Sequence, residues 1–541
     1  MSIDSVTLAV VRGAFEELVR EMDDTLVSSA FSPIISEGRD CAHALFDPGG
    51  DLIVQGEQSL PLFVASMQAV CRHVVQTTGL GRGDVMLCNH PDVGGTHVQD
   101  MKMIMPLYVG DRLCFYLGSA GHWSDVGGAV PGGWHPEARS VFAEGLVVDG
   151  LRLVKGGVVD EEVIGMFLTN ARVPVPLEGD INAHLAALNV GQRRLDELVG
   201  RYGVETLLDV ASEMKCRSEQ AMRARIRELP DRTVAFSAVL DNDGVNDAPI
   251  TIACDLSVRG DSLVIDLTRS SDQSEGPINL PRPGTLTACM VAVKHWWPEI
   301  PINAGCFTPV EIVTRPGSVL DSRFPAPVAG YSEVLLRVVD VVFACLGQID
   351  SAHSIGCSFG TTSGISISSS GPDGIELGAW YLDGGYGGSE FGDGLSGGTP
   401  AHSMARLPPV EIFEHRLPVR ILQRAIRPDS GGDGTHRGGC GTMYEFEFTR
   451  NCSIAFLGDR SRQGPFGTNG GLAGAPASWS FIVGGREWRP PMGAKGTVAV
   501  AAGDRMCVMS PGGGGWGPPE KRSRQRRDED IVGGYVKGAA K

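Results

Sequence analysis

Val11, Phe15, Leu18 and Met22 recur three or four positions apart over residues 5–25, the spacing that places apolar side chains on one helical face. The chain is therefore predicted to open with an amphipathic helix. Over residues 41–155 the pattern shortens to runs such as Ala44-Leu-Phe and Leu52-Ile-Val, broken by turns such as Asp47-Pro-Gly-Gly. This predicts strands, with a helix near 63–78. Two further helices follow, one with Leu185, Leu188, Leu195 and Leu198 on a face, the next with Leu207, Ala211, Met214 and Ala221, stopping at Pro230. Their other faces are charged, as for helices lying on a larger body. Residues 232–270 alternate as strands do, helices are expected near 284–296 and 330–347, and from about 355 strands, glycine loops and turns dominate. No fixed-period repeat is visible. The expected fold class is mixed α+β and multidomain. The expected division is an α+β N-terminal domain over 1–180, a helical hairpin over 181–230, a central α/β region over 231–425 and a β-rich, glycine-looped region over 426–541.

Composition narrows this picture. With 42% hydrophobic and 21% charged residues, the 541-residue chain can bury large cores and is not a disordered protein. Its 73 glycines have no G-X-Y period, which excludes collagen. The glycines of the second half are expected to serve turns, architecture and subunit contacts. A net charge of −17 disfavours nucleic acid and anionic lipid as general partners. The basic run Lys521, Arg522, Arg524, Arg526 and Arg527 meets Asp528, Glu529 and Asp530 at once and is expected to be a solvated terminal segment.

No uncharged apolar run reaches the ~18–20 residues of a membrane span. The segment Val334–Ile349 carries Arg337 and Asp340 and is expected to be a buried helix. The start Met1-Ser-Ile-Asp carries no basic-then-apolar signal pattern. The 13 cysteines form no C-x-x-C pair and are odd in number, so a reduced, cytoplasmic setting is expected.

The chemistry concentrates in the first half. Gly94-Gly-Thr-His97-Val-Gln-Asp100 and Gly121-His122-Trp-Ser-Asp125 each hold a His and an Asp three apart. Such a pair shares one side of a helical turn or converges in a tight loop. Imidazole and carboxylate donors together suit Zn, Mn or Fe, and the flanking glycines would let backbone bend round an ion. A third carboxylate is available from Glu37-Gly-Arg-Asp40.

Other motifs are weaker. Gly356-Cys-Ser358-Phe-Gly360 fits G-x-S-x-G, but the residues after it look like loop or strand where a nucleophile elbow needs a helix. Gly392-Asp-Gly394-Leu-Ser-Gly397 fits G-x-G-x-x-G but neither follows a clear strand nor opens a helix. The absence of any Gly-Lys dipeptide excludes a Walker A loop. Trp296 and Trp297 are expected to anchor a core or an interface. His402, His415 and His436 receive no role.

The ordered motifs resemble the hydantoinase B / oxoprolinase family. They are Ser32-Pro-Ile-Ile-Ser-Glu37-Gly-Arg-Asp40, Asn89-His-Pro-Asp-Val-Gly-Gly-Thr-His97-Val-Gln-Asp100, Gly121-His122-Trp-Ser-Asp125, Asn182-Ala-His, Gly276-Pro-Ile-Asn, Pro301-Ile-Asn-Ala-Gly-Cys, Arg427-Pro-Asp-Ser-Gly-Gly and Ser510-Pro-Gly-Gly-Gly-Gly-Trp-Gly. They span nearly the whole chain. The resemblance implies a metal-bearing B-type subunit working with an A-type subunit that binds ATP and Mg, in a hetero-oligomer such as (AB)2. It implies one divalent transition metal held by Asp40, His97, Asp100 and His122, with Asp125 orienting His122 or a bound water and Glu37 beside the site.

The implied activity is ATP-dependent opening of a cyclic amide such as a hydantoin, lactam or oxoproline. The alternatives are a subunit of a ketone carboxylase of the acetone or acetophenone type, or a non-catalytic scaffold. This chain departs from the usual family pattern at His90, Asp92, Trp123 and Gly38. These positions bear on the substrate, not on the ligands.

Overall fold

The structure is a computed structural model that describes residues 3–372 and 374–538. With 32% helix and 25% strand, it is mixed α+β and multidomain. The first sheet contains β1 (Cys41–Phe46), β2 (Leu52–Gln55), β3 (Val85–Cys88), β4 (Asp100–Val109), β5 (Arg112–His122), β6 (Leu151–Lys155) and β7 (Val158–Val159), in the order β2-β1-β5-β4-β3-β6-β7. All its pairings are antiparallel.

Both faces of this sheet are covered, so its strands read as continuous apolar runs and not as alternation. Met101, Met103 and Met105 of β4 join Phe115 and Leu117 of β5 on one face. That face is closed by helices α1 (Ser5–Ser29) and α6 (Pro174–Tyr202). Ile104, Tyr116 and Ala120 point the other way, toward α3 (Phe63–Thr77), α8 (Arg282–Trp296) and α9 (Tyr331–Ile349). The remaining helices are α2 (Pro33–Ser36), α4 (Pro91–Gly94), α5 (Glu161–Asn170), α7 (Val204–Arg227), α10 (Val410–Arg416) and α11 (Arg524–Val532).

The second sheet holds β8 (Thr233–Leu240), β9 (Ile250–Arg259), β10 (Ser262–Asp266) and β11 (Val310–Val313). Its β10–β11 pair is parallel, and the crossover carries α8. The second half contributes β12 (Gly364–Gly371), β13 (Gly374–Trp380), β14 (Val419–Ile426), β15 (Thr442–Phe448), β16 (Cys452–Leu457), β17 (Ser478–Val483), β18 (Arg486–Trp488), β19 (Lys495–Val500) and β20 (Arg505–Met509). They form two antiparallel sheets, β13-β12-β16-β19 and β14-β15-β20-β17-β18, which share one core. β12 and β14 therefore pair with β16 and β15, across the expected division at 425/426.

Helix α9 ties these bodies together through buried charge. Arg337 donates to Asp459 at 2.9 Å and to the Val239 carbonyl at 2.9 Å, while Lys495 lies 3.1 Å from Asp459. Asp340 accepts from Arg460 at 2.6 Å. The carboxylate of Glu333 accepts from the Thr362 and Ser363 amides at 2.9 and 3.2 Å.

The glycine excess has a cause other than turns. Gly385, Gly387, Gly438, Gly439 and Gly512 to Gly515 lie in segments that are neither helix nor strand and press against one another. Gly513 donates to the Gly439 carbonyl at 2.9 Å and accepts from Gly432 at 2.8 Å. A Cβ on Gly513 would lie 2.0 Å from the Tyr386 carbonyl oxygen. The segments are so close that only hydrogen fits between them.

The basic terminal run is also not simply solvated. Arg522 is buried, pairing Asp393 at 2.7 Å and Asp530 of α11 at 2.8 Å.

Gly513→Ala is expected to lower the first urea-unfolding transition by at least about 2 kcal/mol, because backbone cannot yield to the added methyl. Gly165→Ala, in α5 with open space around it, is expected to stabilise by about 0.5–1 kcal/mol. Equal midpoints for the two variants would contradict the close-packing account.

Candidate metal centre

Register alone builds most of the site. Asp100, the first residue of β4, pairs directly with His122, the last of β5. Directly opposed side chains on one sheet face stand ~4.5–5.5 Å apart at Cβ. On the other side of β5, Cys41 pairs with Gly121, and the His122 amide donates to the Asp40 carbonyl at 3.1 Å. Asp40, His122 and Asp100 thus form a row across three adjacent strands at one end of the sheet. His97 enters from the turn before β4, where the Asp100 amide bonds its carbonyl at 3.1 Å.

The side chains converge. His97 Nε2 lies 2.9 Å from Asp100 Oδ1 and 3.1 Å from His122 Nδ1, and His122 Nδ1 lies 3.4 Å from Asp100 Oδ1. All three residues are buried. Donors around one tetrahedral zinc, with bonds of about 2.0–2.1 Å, stand roughly 3.3 Å apart. The three donor atoms are therefore spaced as the donors of a small divalent cation would be. Asp40 lines the same cavity but stands outside the set of donors that lie within 4.8 Å of one another.

The cavity measures about 50 Å³. Tyr331, at the start of α9, donates to Asp100 Oδ2 at 2.9 Å. Tyr381, just after β13, donates to Asp40 Oδ2 at 3.3 Å. His402, Trp134, Asp383 and Arg406 also line it, with several apolar side chains such as Leu62 and Leu382. Burial raises the Asp40 carboxyl to about 6. Burial has the same tendency on Asp100, but His97, His122 and Lys102 outweigh it and hold Asp100 well below the usual range. His402 is held neutral by burial, down to about 4, and its Nδ1 has no partner.

Several expectations are corrected. Asp125 does not orient His122: its carboxylate accepts from the Arg172 amide at 2.9 Å, from the Arg172 guanidinium at 3.1 Å and from the Gly127 amide at 2.9 Å. The matching His-x-x-Asp spacing thus has two different causes. Glu37 caps the short helix α2 and does not line the cavity. The glycines near the donors serve packing: a Cβ on Gly95 would lie 2.0 Å from Gly284 N, and one on Gly128 would lie 2.6 Å from the Glu144 carbonyl carbon. One expectation holds: after Ser358 the chain runs through loop into β12, with no helix.

Tyr331, Tyr381 and His402 were missed. Each stands more than 200 positions from Asp100 with no motif of its own, so no local signal marks it. The chain also contains an Asp23–His43–Ser119 relay, at 2.7 and 2.8 Å, continued to His184 at 2.7 Å. It has the connectivity of a nucleophile triad, but Ser119 is wholly buried between α1 and α6, out of a substrate's reach.

Glu144 holds the approach to Tyr331. Its Oε1 accepts from the Val328 and Ala329 amides at 2.7 and 2.8 Å, and its Oε2 is buried without a partner. Burial raises this carboxyl from 4.5 to about 8. A raised carboxyl adds stability that is complete below its unfolded pKa and is lost as pH rises through the folded one. Thermal midpoints of the native protein are therefore expected to fall between about pH 5 and pH 8 more steeply than those of Glu144→Gln. Parallel slopes would refute this role.

A model of the hydantoinase B/oxoprolinase family matches residues 4–519. Caprolactamase subunit beta of Pseudomonas jessenii is 30% identical over 554 residues, covering 99% of this chain and 94% of that protein. The crystal structure of the ATP-dependent caprolactamase from Pseudomonas jessenii matches with a TM-score of 0.91 at 28% identity, over 99% of this chain and 95% of that one. The 5-oxoprolinase of Dictyostelium discoideum is 28% identical over 525 residues, 95% of this chain but 40% of that longer protein. Nucleotide-free acetone carboxylase matches with a TM-score of 0.90 at 18% identity, over 99% of this chain and 78% of that one, a likeness of fold alone. The chain belongs to the hydantoinase B/oxoprolinase family.

Proposed function

We propose that this chain is the metal-bearing B-type subunit of an ATP-dependent hydrolase that opens a cyclic amide. The observation that carries the reading is the convergence of His97, Asp100 and His122 on one point of a buried cavity. A divalent transition metal there would polarise a carbonyl oxygen and lower the pKa of a bound water. His97, Asp100 and His122 would hold it, with Asp40 as the fourth donor that the family resemblance implies.

The chain's own residues do the positioning. Tyr331 and Tyr381 each donate to one carboxylate, fixing which oxygen faces the cavity. His402, which also lines the cavity, is neutral and has a ring nitrogen without a partner that can hydrogen-bond there. Burial of the cavity keeps bulk water from competing with these contacts. Supply of ATP falls to an A-type partner, in line with relatives named as a beta subunit and with the absence of a phosphate loop from this sequence.

The likeness to acetone carboxylase extends to fold alone and does not favour ketone carboxylation over amide opening.

Co-expression with an A-type subunit, followed by an ATP-turnover screen over lactams, hydantoins, oxoproline and ketones, tests the proposal. Turnover is expected with a cyclic amide and without bicarbonate. His97→Ala and Asp100→Ala are each expected to lower ring opening at least about 100-fold, since a lost metal removes several kcal/mol of transition-state stabilisation. Bicarbonate-dependent turnover of a ketone would establish the carboxylase instead. Unchanged activity in both variants would leave only a scaffold.

A further inference from the structure

Lys102 occupies a position on β4 that the strand's period assigns to the core. Asp100, Lys102 and Ile104 share one face of the strand, and Lys102 pairs in register with Cys88 of β3 and Ala120 of β5. Cys88, Ala120 and Ile104 all belong to the apolar core beneath α3, α8 and α9. The lysine in their midst is wholly buried. Burying an ion costs several kcal/mol unless its contacts repay it. Among the described residues its hydrogen-bond partners include no carboxylate. An ammonium has three N–H donors. Here they go to Thr96 Oγ1, to the Asp100 carbonyl at 3.2 Å, and toward the face of Phe63, whose ring centre lies 5.7 Å away. A Cβ on Gly94 would come within 3.0 Å of Nζ, so the neighbouring turn fits closely round the charge.

Thr96 and Asp100 are the two ends of the turn that carries His97. Within that turn the Asp100 amide bonds the His97 carbonyl at 3.1 Å, and the Met101 amide bonds the Gln99 carbonyl at 3.0 Å. The ammonium adds the bonds that tie one end of the turn to the other. We infer that Lys102 is a positioning residue of the metal centre: its ammonium closes the turn from Thr96 to Asp100 and so holds His97 and Asp100 at the spacing a cation needs before the cation arrives. This inference rests on the reading of His97, Asp100 and His122 as metal donors and deepens it. The ammonium also repels a cation. The Asp100 carboxylate on the same strand offsets that charge, so the geometric effect is the larger. The two effects change metal affinity in opposite directions, and the sign of the change separates them.

The test is titration of the metal-free full-length chain with zinc against a chromophoric chelator, with the visible absorption of bound cobalt as a parallel readout of donor geometry. Lys102→Met keeps the length of the side chain and removes its donors. It is expected to weaken zinc binding roughly 10–100-fold, the usual effect of losing a group that orients a ligand, and to change the cobalt spectrum. Thr96→Val removes one bond and leaves the ammonium in place. It is expected to weaken zinc binding at least about three-fold, as for one hydrogen bond, whereas Thr96→Ser, which keeps the hydroxyl, is expected to bind zinc as the native chain does. Thr96→Val and Thr96→Ser decide the matter even where Lys102→Met does not fold. Tighter or unchanged zinc binding by Lys102→Met, or equal binding by Thr96→Val and Thr96→Ser, would overturn the inference while leaving the metal centre standing. A native chain that takes up neither zinc nor cobalt would sink the metal reading itself.

Discussion

Buried charge on one helix governs this structure. α9 carries Tyr331, Glu333, Arg337 and Asp340 into the interior: Tyr331 meets β4, Glu333 the loop before β12, and Arg337 and Asp340 the turn after β16, with Arg337 also reaching the end of β8. A buried ion left without its partner costs ~3–5 kcal/mol, so these contacts must form together. Their consequence is positional. Once Arg337 and Asp340 are seated on Asp459 and Arg460, the first turn of α9 is fixed, and the Tyr331 hydroxyl arrives at Asp100. The metal cavity therefore depends on a charge network that lies outside it.

The same arrangement separates two tasks. The candidate metal donors Asp100 and His122 stand at the end of a sheet covered on both faces, with His97 in the turn that leads into it. The walls that would meet a substrate come from the segment around His402, from β13 and from α10, which are joined by loops. A family can keep its chemistry and change its substrate if donors and walls are built this way, because β13 belongs to a different sheet from the strands whose register aligns Asp40, His122 and Asp100. The near-identical architecture of a caprolactamase at 28% identity fits that division.

Much of this was legible in the sequence. Helical periodicity located α1, α3, α6, α7, α8 and α9, because each buries a single stripe or a whole surface over several turns. It missed α10 and α11, which are too short for a period to show, and α5, which sits between two turns. The spacing of His97 and Asp100 marked a local turn and was readable as such. The equal spacing of His122 and Asp125 was misleading: Asp125 turns away to Arg172, whereas Asp40 stands beside His122 only because β1 lies next to β5. Strand order is a long-range property that no spacing encodes. For the same reason Tyr331, Tyr381 and His402 were invisible. The glycines were visible as a composition but not as a packing, since segments from 384–398, 431–441 and 512–517 meet only in three dimensions.

The account stands on one ion at one point. Anomalous X-ray scattering from crystals of the purified native protein, recorded on both sides of the zinc, manganese and iron edges, measures it most directly. The expected result is a single anomalous peak about 2.0–2.3 Å from His97 Nε2, Asp100 Oδ1 and His122 Nδ1, at the edge of one of these metals. A map without any peak there, with the two imidazoles bonded only to each other and to Asp100, would contradict the account.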